Sequence, residues 1–446
     1  MAQTITDGTH DSDAAILDHH LTAADQDRLI ARIMGKLVPF LCLLFLVNYL
    51  DRTNIAMAKL RMLGDTGIGE DAYGLGAGMF FISYFLFEVP SNLIMEKVGA
   101  RLWMTRIMIT WGLISAGMMF VRGPHSLYLL RFLLGAAEAG FFPGIVLYLT
   151  YWIPERRRAS VLAWFLTATA VSGVVGNPLA GALMKLDGQL NLHGWQWLFL
   201  IEGIAPVMLG VATLVLLPDR PAKAKWLTPA EREWLAGELA HDPKHSEHHV
   251  GDLAAALKDV RLWLLSAIYF MLMMGLYGFI YWLPSIIKTA TAASDFYTGL
   301  LSAVPCLVAA VTMVLIGRHA DRHNERRWHV AACCLTAATG VVAMTLSHTP
   351  ATVMPALCFA AVGIWGSLGP FWALATRFLR GSAAAGGIAI VNSLGALAGF
   401  VAPYAIGWVK AHTGGYAGLL TVALAQVLGA VLILSVPRAV DRESAG

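Results

Sequence analysis

The chain has 446 residues, of which 57% are hydrophobic and 14% charged, and a mean hydropathy of +0.62. Soluble domains carry about 25% charged residues, so a soluble fold is excluded and the lipid bilayer is the solvent. A net charge of +3 is too small to mark a nucleic-acid partner.

Residues 1–28 are polar and rich in acids (Asp7, Asp11, Asp13, Asp18, Asp25, Asp27). No basic start leads into an apolar core there, so the stretch reads as an uncleaved, disordered cytoplasmic arm. Twelve apolar windows follow, each close to the roughly 20 residues that a membrane helix needs. They are 35–58, 73–96, 102–121, 126–150, 160–184 and 196–217, then 260–286, 297–317, 329–347, 351–376, 386–409 and 416–436. The polar stretch 218–258 divides the chain into a six-helix N-terminal half (29–217) and a six-helix C-terminal half (259–437). Residues 438–446 form a second cytoplasmic tail. The expected fold is therefore all-α and polytopic.

Orientation follows from the distribution of Lys and Arg. With the N-terminus in the cytoplasm, only Lys59, Arg61, Arg122, Lys185, Lys288 and Lys410 of the 32 basic residues fall outside, and only Arg52 and Arg131 within spans. Both termini are thus expected in the cytoplasm. In the central loop, TPAEREWL (Thr228–Leu235) reads as a capped amphipathic helix on the cytoplasmic face. HDPKHSEHH (His241–His249) reads as a solvated linker rather than a metal site. The five cysteines lie in apolar runs without metal-ligand or disulfide spacing and read as packing residues.

Charges inside spans are costly, about 2.5–3.5 kcal/mol each on insertion scales, and normally face a polar cavity with a partner. The deep ones in the N-terminal half are Asp51 and Arg52, Glu88, Arg131 and Glu138, and Glu202. Asp51 lies about 22 Å up the helix from Lys36, in the outer half of the membrane. Arg131, entering from outside near Ser126, reaches a similar level, and Glu138 lies two turns deeper on the same face. Asp51, Arg52, Arg131 and Glu138 are expected to form one cluster of two acids and two bases. Glu88 and Glu202 fall toward span ends and read as bracing or interface residues. Spans seven to twelve hold no buried Asp, Glu, Lys or Arg; their stock is neutral and aromatic, including Tyr269, Tyr277, Tyr281, Trp372 and Asn392. One half offers charge and the other hydrogen bonds and rings, as at many ligand sites.

A repeat links the halves. NLIMEKVGAR (Asn92–Arg101) follows span two and GRHADRHNERR (Gly317–Arg327) follows span eight, each placing an acid before a base. Repeated halves are typical of transporters, with the site between them near the midplane. These loops resemble the G-x-x-x-D-R-x-G-R-R motif of the major facilitator superfamily, with Asn324 in place of a glycine. NYLDRTNIAMA, YFLFEVPSNLIMEKVGAR, RFLLGAAEAGFFPG and LFLIEGIAP resemble its anion:cation symporter branch, which includes sugar-acid, tartrate, 4-hydroxyphenylacetate and phthalate permeases.

The resemblance implies a monomeric carrier of the bacterial inner membrane that imports an organic anion with protons and needs no cofactor. It implies that Arg52 holds the substrate carboxylate, that Asp51 and Glu138 carry protons, and that Arg131 balances them. It places Tyr49, Tyr84 and Asn392 at the substrate. It gives Glu96, Lys97 and Arg101, and Asp321, Arg322 and Arg326, the task of bracing helices during conformational switching. Thr169 and Asn392 suit a hydroxyl-rich acid, whereas Trp372 and the tyrosines suit a ring-bearing one, and the sequence leaves both open. SGVVGNPLAG (Ser172–Gly181) and NSLGALAGFVAP (Asn392–Pro403) read as hinges. An exchanger or uniporter is the alternative within the same fold, and a membrane sensor a remote one. No nucleotide loop, metal triad or nucleophile–base spacing points to an enzyme.

Overall fold

The computed structural model describes residues 22–241, 259–347, 349–378 and 384–436, and these are helical with no strand among them. The acidic arm before Thr22, the histidine tract beyond His241, Arg380 and the tail from residue 437 lie outside the described residues.

The N-terminal half comprises α1 (Ala23–Thr66), α2 (Glu70–Val98), α3 (Ala100–Gly117), α4 (Pro124–Glu138), α5 (Phe141–Thr150), α6 (Glu155–Leu183) and α7 (Gly194–Leu216). A connecting helix, α8 (Pro229–His241), follows. The C-terminal half comprises α9 (Val260–Thr291), α10 (Asp295–Arg322), α11 (Arg327–Leu346), α12 (Pro350–Gly366), α13 (Leu368–Phe378), α14 (Ala384–Ala396), α15 (Ala398–Thr413) and α16 (Leu419–Ser435). Each of the twelve expected windows is occupied by one rod. Three rods are broken: α4 from α5 at Ala139–Gly140, α12 from α13 at Ser367, and α14 from α15 at Leu397. Ten rods are long and apolar enough to cross a membrane by length and composition; α3 and α6 are the other two.

The helix bounds correct the expected arm. α1 begins at Ala23, inside the stretch expected to be disordered, because Thr22 caps it by accepting the Asp25 amide at 3.3 Å. It runs 44 residues and stops at Gly67, whose φ of 68° breaks the helix. The capping box read in the central loop is present. The Thr228 amide donates to Glu231 at 2.9 Å, and the Glu231 amide donates to the Thr228 hydroxyl at 3.3 Å. Burial pushes the Glu231 carboxyl up, but the Thr228 amide and Arg32 outweigh it and hold it below the usual range. Arg32 thereby ties α8 to α1.

The halves meet along α6 against α10, α2 against α15, and α1 against α9. Small residues make this contact close. A Cβ on Gly74 would lie 2.5 Å from the Pro403 carbonyl oxygen, and one on Gly299 would strike the Asn177 carbonyl. Both contacts lie at the end where α1 stops and α2 starts, the outer end by the charge bias. Ion pairs cross the same end. Glu70 of α2 pairs with Lys59 of α1 at 2.7 Å and with Lys410 of α15 at 2.6 Å. Asp295 of α10 pairs with Arg61 of α1 at 2.7 Å and with Lys288 of α9 at 2.9 Å. Toward the other end α2 has little contact with α14. Among the described residues, the contact between the halves is thus closest at this one end.

A leucine at Gly299 must push α6 from α10, and overpacking of this kind costs about 1–3 kcal/mol. In G299L, a cysteine introduced by Ser285→Cys, a buried position near the sealed end of α9, should label faster with a membrane-impermeant maleimide than in the parent. An unchanged rate would show that this glycine does not set the closure.

Candidate functional site

The centre of the molecule is an ion pair between α1 and α4. Arg52 donates from Nε to Glu138 Oε1 at 3.0 Å and from Nη2 to the same oxygen. Glu138 is fully buried, and its Oε2 has no hydrogen-bond partner. It is the last residue of α4, just before the Ala139–Gly140 break, where Gly140 adopts a φ of 88°. The guanidinium is packed among rings: Phe80 at 5.1 Å, Tyr84 at 5.1 Å and Tyr49 at 5.4 Å from its carbon to the ring centres. Gly135 brings α4 onto α2, since a Cβ there would strike the Phe80 carbonyl.

Arg131 lies across Phe80 from this pair, its carbon 4.9 Å from the ring centre. It is fully buried and forms no ion pair within 4.0 Å among the described residues. Its Nη2 donates weakly to the Ala77 carbonyl and the Tyr281 hydroxyl, both at 3.4 Å, while Nε and Nη1 have no partner. Tyr281 in turn donates to the Arg52 carbonyl at 3.2 Å. A C-terminal-half tyrosine therefore joins the two arginine-bearing helices.

Asp51 faces the other way. Its carboxylate accepts from Trp111 Nε1 at 2.9 Å, from the Ser115 hydroxyl, and from Asn54 Nδ2 at 3.1 Å. The single four-charge cluster expected from the sequence is thus two sites. Successive residues of a helix point about 100° apart, so Arg52 faces the boundary between the halves while Asp51 faces α3 and α7. Glu202 also departs from expectation. It is 6% exposed and lies beside Asn54 and Asp51 inside the N-terminal bundle, rather than at a helix end. Counting residues along a span does not tell which face of the helix a side chain occupies. Glu88 does bridge the halves, accepting from the Ser393 hydroxyl of α14 at 3.0 Å.

The aromatic wall of the C-terminal half is built on Tyr269. Phe371 stacks on it at 5.1 Å and Trp372 meets it edge-on at 4.9 Å. Tyr277 continues the wall, 4.5 Å from Phe81. Asn392 is half-buried on α14 and makes no side-chain hydrogen bond among the described residues. Thr169 is buried on α6, where its carbonyl accepts from Ser172 at 2.7 Å. Tyr277, Tyr281 and Phe80 were not singled out as site residues from sequence; in a chain this rich in rings, only their position around the arginines distinguishes them.

The two repeated loops share a backbone device. Gly99 and Asn324 occupy corresponding positions, with φ of 96° and 47°. Asn is the residue besides Gly that best tolerates this region, which explains the departure from the expected glycine. After the first turn Arg101 donates to the Leu214 carbonyl at the end of α7. After the second, Arg327 donates to the Leu434 carbonyl at the end of α16, one position beyond the expected Arg326. Arg326 pairs with Asp321 at 3.2 Å, and Asn324 accepts from Arg326 at 3.0 Å and from Arg377 at 2.9 Å. Glu96, Lys97 and Arg322 are exposed.

Residues 41–403 match the family profile described as Major Facilitator Superfamily. A "Putative tartrate transporter" of Agrobacterium vitis is 48% identical over 414 residues, covering 93% of this chain and 95% of that protein. A "Quinolone resistance transporter" of Acinetobacter baumannii is 43% identical, covering 93% and 96%. Among solved structures, a bacterial homolog of the human lysosomal transporter Spinster, in an inward-facing and occupied conformation, superposes with a TM-score of 0.76. It is 17% identical and covers 92% of this chain and 99% of that one, a likeness of fold alone.

The left-handed turn at Asn324 predicts an ordering of variants. N324A should melt below N324G by the equivalent of about 1 kcal/mol, because both lose the same side-chain bonds but only alanine strains the turn. Thermal unfolding in detergent at fixed lipid content checks this; equal midpoints would show that the turn carries no strain.

Proposed function

The chain belongs to the Major Facilitator Superfamily and is a multi-pass membrane transporter rather than an enzyme, and from that premise we propose that it is a proton-coupled symporter importing a small hydroxy-carboxylic acid by alternating access. The termini and the open end of the bundle face the cytoplasm, and the membrane is the bacterial inner membrane. The observation that carries the reading is the buried Arg52–Glu138 pair, with its unpartnered Glu138 oxygen and its ring-lined guanidinium.

An arginine fork bonds a carboxylate through two parallel hydrogen bonds. A substrate carboxylate arriving at Arg52 therefore competes with Glu138 for the same donors. Once displaced, Glu138 is a buried acid without its counter-charge, and taking up a proton relieves it. Anion and proton then cross together, because each makes room for the other. Asp51 is the second acid of the coupling set, and Arg131 carries the opposing charge.

Tyr49 and Tyr84 orient the carboxylate, and Asn392 and Thr169 supply hydrogen bonds to hydroxyl groups. The relative named as a tartrate transporter supports a hydroxy acid. The unpartnered Nε and Nη1 of Arg131 offer a second carboxylate a place to bind. The wall of Tyr269, Phe371 and Trp372 supports a second reading, an aromatic-acid symporter. Bracing and switching fall to Glu96, Lys97 and Arg101 in one loop and to Asp321, Arg322 and Arg326 in the other.

Uptake into proteoliposomes, with labelled tartrate, sugar acids and aromatic acids and with or without an inward proton gradient, tests this. Accumulation should require the gradient; gradient-independent accumulation of the true substrate sinks symport. R52K should raise KM by roughly tenfold or more, as loss of a bidentate charged bond does; an unchanged KM removes the carboxylate role from Arg52. E138Q should lose gradient-driven accumulation and retain part of its counterflow exchange, and full accumulation would rule out its proton role.

A further inference from the structure

Among the described residues, the interior of the N-terminal half buries four carboxyl groups, Asp51, Glu88, Glu138 and Glu202, beside two guanidinium groups, the buried Arg131 and the partly buried Arg52, while the buried Lys59 is taken up by Glu70 at the sealed end. Four anions against two cations cannot all be ionised at that depth, since an uncompensated buried charge costs several kcal/mol. Some of these acids hold protons, and their surroundings rank them.

Glu138 has the Arg52 guanidinium. Asp51 has three neutral donors on its two oxygens. Glu88 has the Ser393 hydroxyl. Glu202 has only the Asn54 amide beside it and no cation within 4.0 Å among the described residues, and its Oε2 is buried with no hydrogen-bond partner. Packing holds it there. A Cβ on the neighbouring Gly203 would lie 2.8 Å from the Gly112 carbonyl oxygen, so α7 rides on α3 at the level of Trp111 and Ser115.

Around the pair of acids, α1 presents Asp51 and Asn54 and α3 presents Trp111 and Ser115. From α4, Arg131 and Glu138 act on Asp51 through space, and no Lys or Arg pairs with Asp51 or Glu202 within 4.0 Å among the described residues.

We propose that Asp51 and Glu202 form a one-proton acid pair inside the N-terminal bundle, with the proton resting on Glu202. A proton there removes one of the unbalanced charges. It also turns an acceptor with nothing to accept into a donor beside the Asp51 carboxylate. The remaining negative charge on Asp51 offsets Arg131. The site lies on the face of α1 away from Arg52, so it does not rest on the substrate reading above.

Infrared spectroscopy of the purified full chain in lipid at neutral pH tests the proposal without any substrate. The wild type should show the carbonyl stretch of a protonated carboxylic acid, displaced when glutamate is carbon-13 labelled, and E202Q should lose it. D51N should shift that band, because the proton's acceptor has changed. If E202Q does not fold, E202D should move the band out of reach of the glutamate label. An unchanged band in E202Q, or in E202D, overturns the proposal. So does a wild-type band that disappears when sodium replaces choline in the buffer, which would make this a metal-cation site instead.

Discussion

The structure turns on a covalent constraint: an acid and a base occupy consecutive positions of one long helix. Because consecutive helical side chains diverge by about 100°, Asp51 and Arg52 cannot serve the same cavity. The base takes the boundary between the halves and recruits Glu138 from α4, with Phe80, Tyr84 and Tyr49 packed around it. The acid takes the interior of the N-terminal bundle and recruits Trp111, Ser115 and Asn54. One dipeptide thereby connects the transport path to a polar core behind it, and anything that rotates α1 acts on both.

The sequence carried the architecture well. Hydropathy windows located the rods, and the Thr228–Glu231 box located the connecting helix, because both signals are local. The charges were also visible as anomalies in apolar runs. What was not legible was which of them face one another. Asp51 and Glu202 lie 151 positions apart in sequence, and their meeting depends on how α7 packs on α3, through Gly203 and Gly112. The same limit applied to Arg131. Its register on α4 was correct, yet its missing acid partner is a fact of tertiary placement. The bounds of α1 were misjudged for a simpler reason, since polar residues beyond a membrane continue a helix whenever a cap such as Thr22 supports it.

The C-terminal half contributes little charge in its interior but much of the geometry. Tyr281 reaches across to the Arg52 carbonyl, and Ser393 reaches Glu88. Single hydrogen bonds of this kind hold two bodies in register. The repeated loops bond within each half instead: Arg101 and Arg327 donate to carbonyls at helix ends of their own halves.

The sharing of Glu70 by two lysines has a consequence for the sealed end. Lys59 and Glu70 belong to one half, and Lys288 and Asp295 to the other, so those pairs survive any separation. Arg61 retains Asp187 at 3.7 Å on its own side. Lys410 is different. A separation of the halves would part it from its acid and leave, among the described residues, the rings of Trp282 and Tyr416, 5.1 and 4.7 Å away, beside its ammonium. The wall of the C-terminal half would then carry one more unpaired positive charge, so that screening by salt would favour the separation.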